Sequence, residues 1–201
     1  MQICKNFTPD MHPFLPPPAN RALQTIGAGG LVLAPTANLW QVLSDVRKAG
    51  VLHRHLALCP PGQLNRPELL FADLDQLQEW FPGLHPKIDS LLIYHKRPCT
   101  ILLPRPERIP RVLEDGQGLV GVRLIMDSFC YRLNERIDGP LLATLAMPRG
   151  SLLPTSFGKV RSDLLRSVDH VVCRRQKEVL GERAATALYL DENDEFAFVE
   201  N

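Results

Sequence analysis

Several features that would assign the chain quickly are scarce in it. Only 6% of its 201 residues are aromatic, and 23 Lys and Arg against 22 Asp and Glu leave a formal charge of +1. Such a total supplies no overall field to draw the protein onto nucleic acid or a membrane. No run approaches the roughly 18 apolar residues a membrane span requires. The opening MQICKNFTPD has no charged region followed by an apolar stretch, so no signal peptide is expected. The five cysteines, Cys4, Cys59, Cys99, Cys130 and Cys173, are odd in number, widely spaced and lack a CxxC pair. That pattern suits reduced thiols better than a disulfide framework, and the expected location is cytoplasmic.

What is present is ordinary globular material, 45% apolar and 22% charged, enough for one domain with a buried core. Five of the 18 prolines fall in residues 1–18, read as a stiff Pro-rich extension ahead of a single domain over 19–201. The last eleven residues, DENDEFAFVEN, carry no Lys or Arg, so the body is more basic than the total implies.

Periodicity predicts helices from Ala19 to the glycines at 27–30, and over 38–49, 73–81, 86–95, 107–115, 127–137 and 156–166. Strands are expected at Leu31–Ala34, 69–72, 99–103, 119–125, 141–145 and 169–173, with a closing hairpin of TALYL and EFAFV across DEND. This alternation predicts an α/β fold: a twisted mixed parallel and antiparallel sheet with helices packed on it.

Individual motifs are weak. IGAGG at 26–30 follows a helix and precedes a strand, the reverse of a dinucleotide fingerprint, so it reads as a helix stop. His53 and His55 flank Arg54 and would share a face on a strand, but no further metal ligands accompany them at sensible spacing. No G-x-S-x-G elbow supports a serine nucleophile. The basic stretches KRP at 96–98 and RPERIPR at 105–111 flank a strand and offer anion donors or a solvated surface. Arg123 stands apart: it interrupts the apolar strand LVGVRLI, where a guanidinium needs a partner or an anion-holding cavity.

The order of segments resembles the YrdC/YciO-like family, which includes threonylcarbamoyl-AMP synthase. GGLVLAPTANLW is similar to its GG-(apolar)-PT segment and keeps Pro35 and Thr36. RPCTILLP resembles its P-L-T-L strand and keeps Thr100. GLVGVRLI keeps Arg123 of the V-R-V-P strand, and GPLLATLAMPRG keeps Gly139, Pro140, Thr144 and Gly150 of the G-P-L-x-[AS]-T segment. VDHVVC and the final hairpin continue the series.

The resemblance implies an open-sheet fold with a central cavity that binds ATP, with Mg, and in some members double-stranded RNA or tRNA. The active enzymes of the family build threonylcarbamoyl-adenylate from threonine, bicarbonate and ATP. It further implies ligand-binding roles for Thr36, Arg54, Thr100, Arg123 and Thr144. Several catalytic positions differ: HRHLA stands in the K-x-R region, Ala37 and Asn38 follow Thr36, Leu145 and Met147 replace polar residues, and Ile125 and Tyr189 replace Pro and Asp. The chain is nearest the YciO-like branch. The leading expectation is a nucleotide- or RNA-binding protein with reduced or lost catalysis. An active synthase for tRNA modification and a protein-interaction subunit with an abandoned cavity are the alternatives.

Overall fold

The computed structural model describes residues 17–62, 65–181 and 185–199, so most of the Pro-rich extension lies outside the described residues. Pro17 and Pro18 open helix α1 (Pro17–Gly27), in the first turn, where a missing N–H costs nothing. Then follow β1 (Val32–Pro35), β2 (Trp40–Asp45), α2 (Ala49–Leu58), β3 (Glu68–Phe71), α3 (Leu74–Trp80) and α4 (Pro86–Tyr94). The second half adds β4 (Cys99–Pro104), β5 (Leu119–Leu124), α5 (Ser128–Asn134), β6 (Leu141–Leu145) and α6 (Ser162–Ser167), and closes with β7 (His170–Val171), β8 (Thr186–Leu190) and β9 (Phe196–Phe198). No helix among the described residues is long and apolar enough to cross a membrane.

Among the described residues, nine strands form one sheet in the order β7-β1-β2-β6-β3-β5-β4-β8-β9. The pairs β1–β7, β3–β5 and β4–β8 are parallel and the others antiparallel, so the sheet is mixed as expected. Polar side chains start two helices as local chemistry requires. Asp73 accepts the Gln76 amide at 2.8 Å and Asp127 accepts the Cys130 amide at 2.8 Å, each filling an orphan donor of a first turn.

Three predicted elements are corrected. The expected helix at 38–49 is instead strand β2 with α2 behind it, because all six residues of β2 are buried and show no alternation to betray a strand. The HRH segment lies on α2, so His53 and His55 do not share a strand face; His55 is buried and His53 exposed. The stretch at 107–115 holds only a 3-10 turn at Arg111–Leu113, and 156–166 splits into a 3-10 turn at Phe157–Lys159 and α6.

The register fixes which residues share a face, because opposed residues point the same way and neighbours alternate. One face carries Leu43, Leu70 and Ala143, packed under Ala22 and Ile26 of α1 and Phe129 and Leu133 of α5. On the other, Leu69, Phe71, Ile101 and Val122 are covered by Leu52, Leu77 and Ile88 from α2, α3 and α4. Leu164 of α6 extends that second layer over Trp40 and Val42.

The glycines after α1 act as a stop. Gly29 adopts φ +79 and its amide bonds Ile26 O at 2.9 Å, the usual left-handed helix ending. Gly30 has no room for a side chain, since an added Cβ would lie 2.6 Å from Thr25 Cγ2 and 2.9 Å from Thr25 O. Gly30→Ala is therefore expected to cost about 1–3 kcal/mol by overpacking, measured by urea unfolding, with no change in any ligand affinity.

Candidate functional site

β3, β5 and β2 each direct a polar residue of one network to the α1/α5 face of the sheet, where β2 also carries Asp45. Glu68 pairs in register with Gly121, Leu70 with Arg123, and Gln41 with Leu145, which puts Glu68, Arg123 and Gln41 on that face. Thr100 of β4 joins them, two residues from Leu102, the partner of Gly121. The four side chains form one buried network. Arg123 Nη2 lies 3.0 Å from Glu68 Oε2 and donates to Gln41 Oε1 at 2.9 Å. Gln41 Nε2 donates to Glu68 Oε2 at 3.2 Å, and the Thr100 hydroxyl donates to Glu68 Oε1. Arg123 is 5% exposed and Glu68 8%, so the guanidinium has found the internal partner its burial demands.

Thr36 stands at the end of β1, its hydroxyl donating to Leu39 O at 2.8 Å. It lines, with Ala37, Arg123 and Asp127, a cavity of about 10 Å³. That space holds a single water at most. Asp127 faces both Arg123 and Arg175; burial pushes its carboxyl up, while the Cys130 amide and the two guanidinium charges oppose the rise. Arg175 has the left-handed φ 51, donates to Thr36 O at 3.1 Å and pairs with Glu178 at 2.7 Å. Arg174 lies 5.4 Å from the centre of the Phe129 ring. A cationic rim thus surrounds a closed interior.

The five residues expected to bind ligand are not gathered in one place. Thr36, Thr100 and Arg123 share the α1/α5 side. Thr144 pairs with Val42 and points to the opposite face. There it meets His55 Nε2 at 2.9 Å, and His55 Nδ1 lies 2.7 Å from the Ser44 hydroxyl. Arg54 is on the surface of α2, paired with Asp169 at 2.8 Å and donating to Ser167 O. Glu68, Gln41 and Arg175 were missed. Glu68 fell just before the predicted strand at 69–72, and Gln41 sat in a segment read as helix.

The basic stretches also divide. Pro98 lines the small cavity beside Arg123, with exposed Lys96 and Arg97 before it. Arg105 is tied into its own loop by Glu114 and Ile109 O, and Arg108 stacks on Trp80 at 4.5 Å. No group of three or more His, Cys, Asp or Glu that could hold a metal ion occurs among the described residues. Asp127 is the carboxylate that lines the small cavity.

Fold and site define an α/β protein with an arginine-centred polar network on one face of a mixed nine-stranded sheet. The family model Sua5_yciO_yrdC, described as "Telomere recombination", matches residues 24–184. The chain belongs to the Sua5/YciO/YrdC family. A threonylcarbamoyl-AMP synthase of Halorhodospira halophila is 27% identical over 145 residues, 72% of this chain and 76% of the relative. Among solved structures, Escherichia coli YciO superposes with a TM-score of 0.75 at 20% identity, covering 94% of this chain and 91% of YciO. Sua5 of Pyrococcus abyssi complexed with L-threonine gives 0.70 at 24% identity, over 86% of this chain and 50% of that one. The predicted fold class and family are both borne out.

Proposed function

We propose that the chain is a YrdC/YciO-like protein that binds a nucleotide or structured RNA at the cationic rim of its sheet face and has lost or much reduced the synthase reaction. The observation that carries this reading is the Glu68 carboxylate on Arg123, an internal anion where an anionic ligand would need that guanidinium. Adenylate formation needs cations and amide donors free to stabilise charge developing on phosphate. Here the central cation is neutralised and hydrogen-bonded from two sides. The rim cations Arg174 and Arg175 stand outside that network, next to Thr36 and Phe129, and phosphate groups would meet them first.

The supporting lineage is the similarity to threonylcarbamoyl-AMP synthases, proteins named for the step that supplies tRNA modification. ATP, with its magnesium, and tRNA or double-stranded RNA are therefore the ligands to try. The expected outcome is no pyrophosphate release dependent on threonine and bicarbonate at high protein concentration. Saturating RNA or ATP should raise the melting temperature by about 5–10 °C, corresponding to a ligand at roughly a hundred times its Kd. Pyrophosphate formed only with both co-substrates would reverse the catalytic part of the reading. No shift with either ligand would end the binding part.

A further inference from the structure

β9 ends the sheet, and among the described residues no strand pairs with its outer edge. Val199 N donates to Ala187 O at 2.9 Å and Asp191 N to Glu195 O at 2.9 Å, in the register that sets Phe198 opposite Leu188 and Phe196 opposite Leu190. Hydrogen-bonded pairs alternate along an antiparallel ladder. The backbone groups of residues 195, 197 and 199 therefore turn inward to β8, and those of Phe196 and Phe198 turn outward, away from the sheet.

The side chains make one side of this edge apolar. Leu188, Leu190 and Phe196 pack in the layer that α4 covers, which puts Phe196 and Phe198 on that face of β9. Phe196 lines a shallow groove of about 460 Å³ with Pro86, Ser90 and Leu91 of α4. Lys87 Nζ donates to Asp194 O at 2.6 Å, so the hairpin turn lies at the start of α4 and β9 runs towards the helix end. There Tyr94, one turn on from Leu91, and Phe198 are each 71% exposed. Proteins blunt a free edge with charge or proline in the strand itself, whereas β9 reads Phe-Ala-Phe.

We propose that this edge pairs antiparallel with the same edge of a second copy of the chain, about a twofold axis at Ala197. That register uses both outward-facing residues of each copy: Phe196 exchanges its two backbone bonds with Phe198 of the other copy. The Phe198 ring of one copy then stands beside Phe196 of the other, at the groove that Phe196 shares with Leu91. Charge selects a second copy as the occupant. Acid gathers at the turn end, in Asp191, Glu192, Asp194 and Glu195. Base lies at the opposite end, where exposed Lys96 and Arg97 precede β4, which starts beside Thr186 at the Val199 end of β8. An antiparallel pair sets the acidic turn of each copy towards the basic end of the other, and the twofold makes both contacts at once. A foreign strand carrying one sign of charge would satisfy one end only.

Sedimentation of the full chain over a wide range of concentration should show a reversible monomer–dimer equilibrium, half-dimeric at roughly 10–100 µM because the patch is small. Phe198→Lys should weaken the dimer by about tenfold or more, and its melting temperature at low concentration should stay within about 2 °C of the parent, because the side chain is exposed. Lys96→Glu/Arg97→Glu should also weaken it, and adding Glu192→Lys/Glu195→Lys to that variant should restore it. A chain that is monomeric throughout would overturn the proposal, as would a dimer that Phe198→Lys leaves intact. A monomer that Phe198→Lys destabilises by more than about 5 °C would overturn it in favour of a segment of the same chain covering the edge. Failure of the combined charge exchange to restore the dimer would overturn the antiparallel register.

Discussion

Glu68→Ala is expected to lower stability by about 3–5 kcal/mol, because it leaves the Arg123 guanidinium buried without its counter-charge. The pair is well shielded, with side chains 6% and 11% exposed, so water cannot take over the carboxylate's role without rearrangement. For a chain of this size the loss corresponds to a fall in melting temperature of roughly 10 °C. The double variant Glu68→Met/Arg123→Met should recover most of it, since replacing a whole buried pair by apolar groups of similar size is often neutral. Urea unfolding of the parent, the single and the double variant checks both statements. The same experiment bears on function: Glu68→Ala removes charge and volume together, so inorganic pyrophosphate should stabilise it more than it stabilises the parent. A single variant as stable as the parent would mean that the network does not depend on its charge.

The predicted strands were legible where the chain alternates or where an apolar run is bounded by turns, and eight of the nine strands found among the described residues lie within them or overlap them closely, all but β2. Strand β7 falls inside the predicted 169–173 but is only two residues long. Strand β2 was illegible for a physical reason. It runs between β1 and β6 with both faces covered, so WQVLSD reads as an amphipathic turn of helix when only periodicity is consulted. Losing β2 hid Gln41, and with it the half of the polar network that closes over Arg123. Arg54 was expected at the site from the family resemblance alone, and it lies on the surface of α2, paired with Asp169. Arg123 itself was legible because a charge in a buried strand requires a partner, and the structure answers that requirement from within the chain. Glu68 escaped that rule because the strand was expected to begin one residue later, at Leu69; it stands two positions from Leu70, the register partner of Arg123.

Acid should destabilise the protein well above the range where carboxylates titrate, and His55 is the reason. It is fully buried on the back of the sheet, its two ring nitrogens 2.7 Å from the Ser44 hydroxyl and 2.9 Å from the Thr144 hydroxyl. Two hydroxyls serve a neutral imidazole, one accepting and one donating, but cannot supply a counter-charge. Burial lowers its pKa from 6.5 to about 3. Above pH 6.5 the ring is neutral in both states and the group adds no pH dependence. Between pH 6.5 and about 3 the unfolded chain takes a proton that the native state refuses, so stability falls as pH falls, at up to about 1.4 kcal/mol per pH unit. Asp169 and Asp191 have lowered native pKa values, so their losses begin only near the ordinary carboxylate range of 3.8 and below. Asp127 has a raised pKa and works in the opposite direction, gaining stability as pH falls towards that range. The interval from pH 6.5 to 4.5 therefore carries the His55 loss, about 2–3 kcal/mol, less the Asp127 gain. His55→Gln retains a donor and an acceptor without a titrating ring, so its stability should be lower at pH 7 but nearly flat across the same interval. Urea unfolding at pH 7.0, 5.5 and 4.5 measures both slopes, and equal slopes would mean that the ring reaches solvent and titrates normally in the native state.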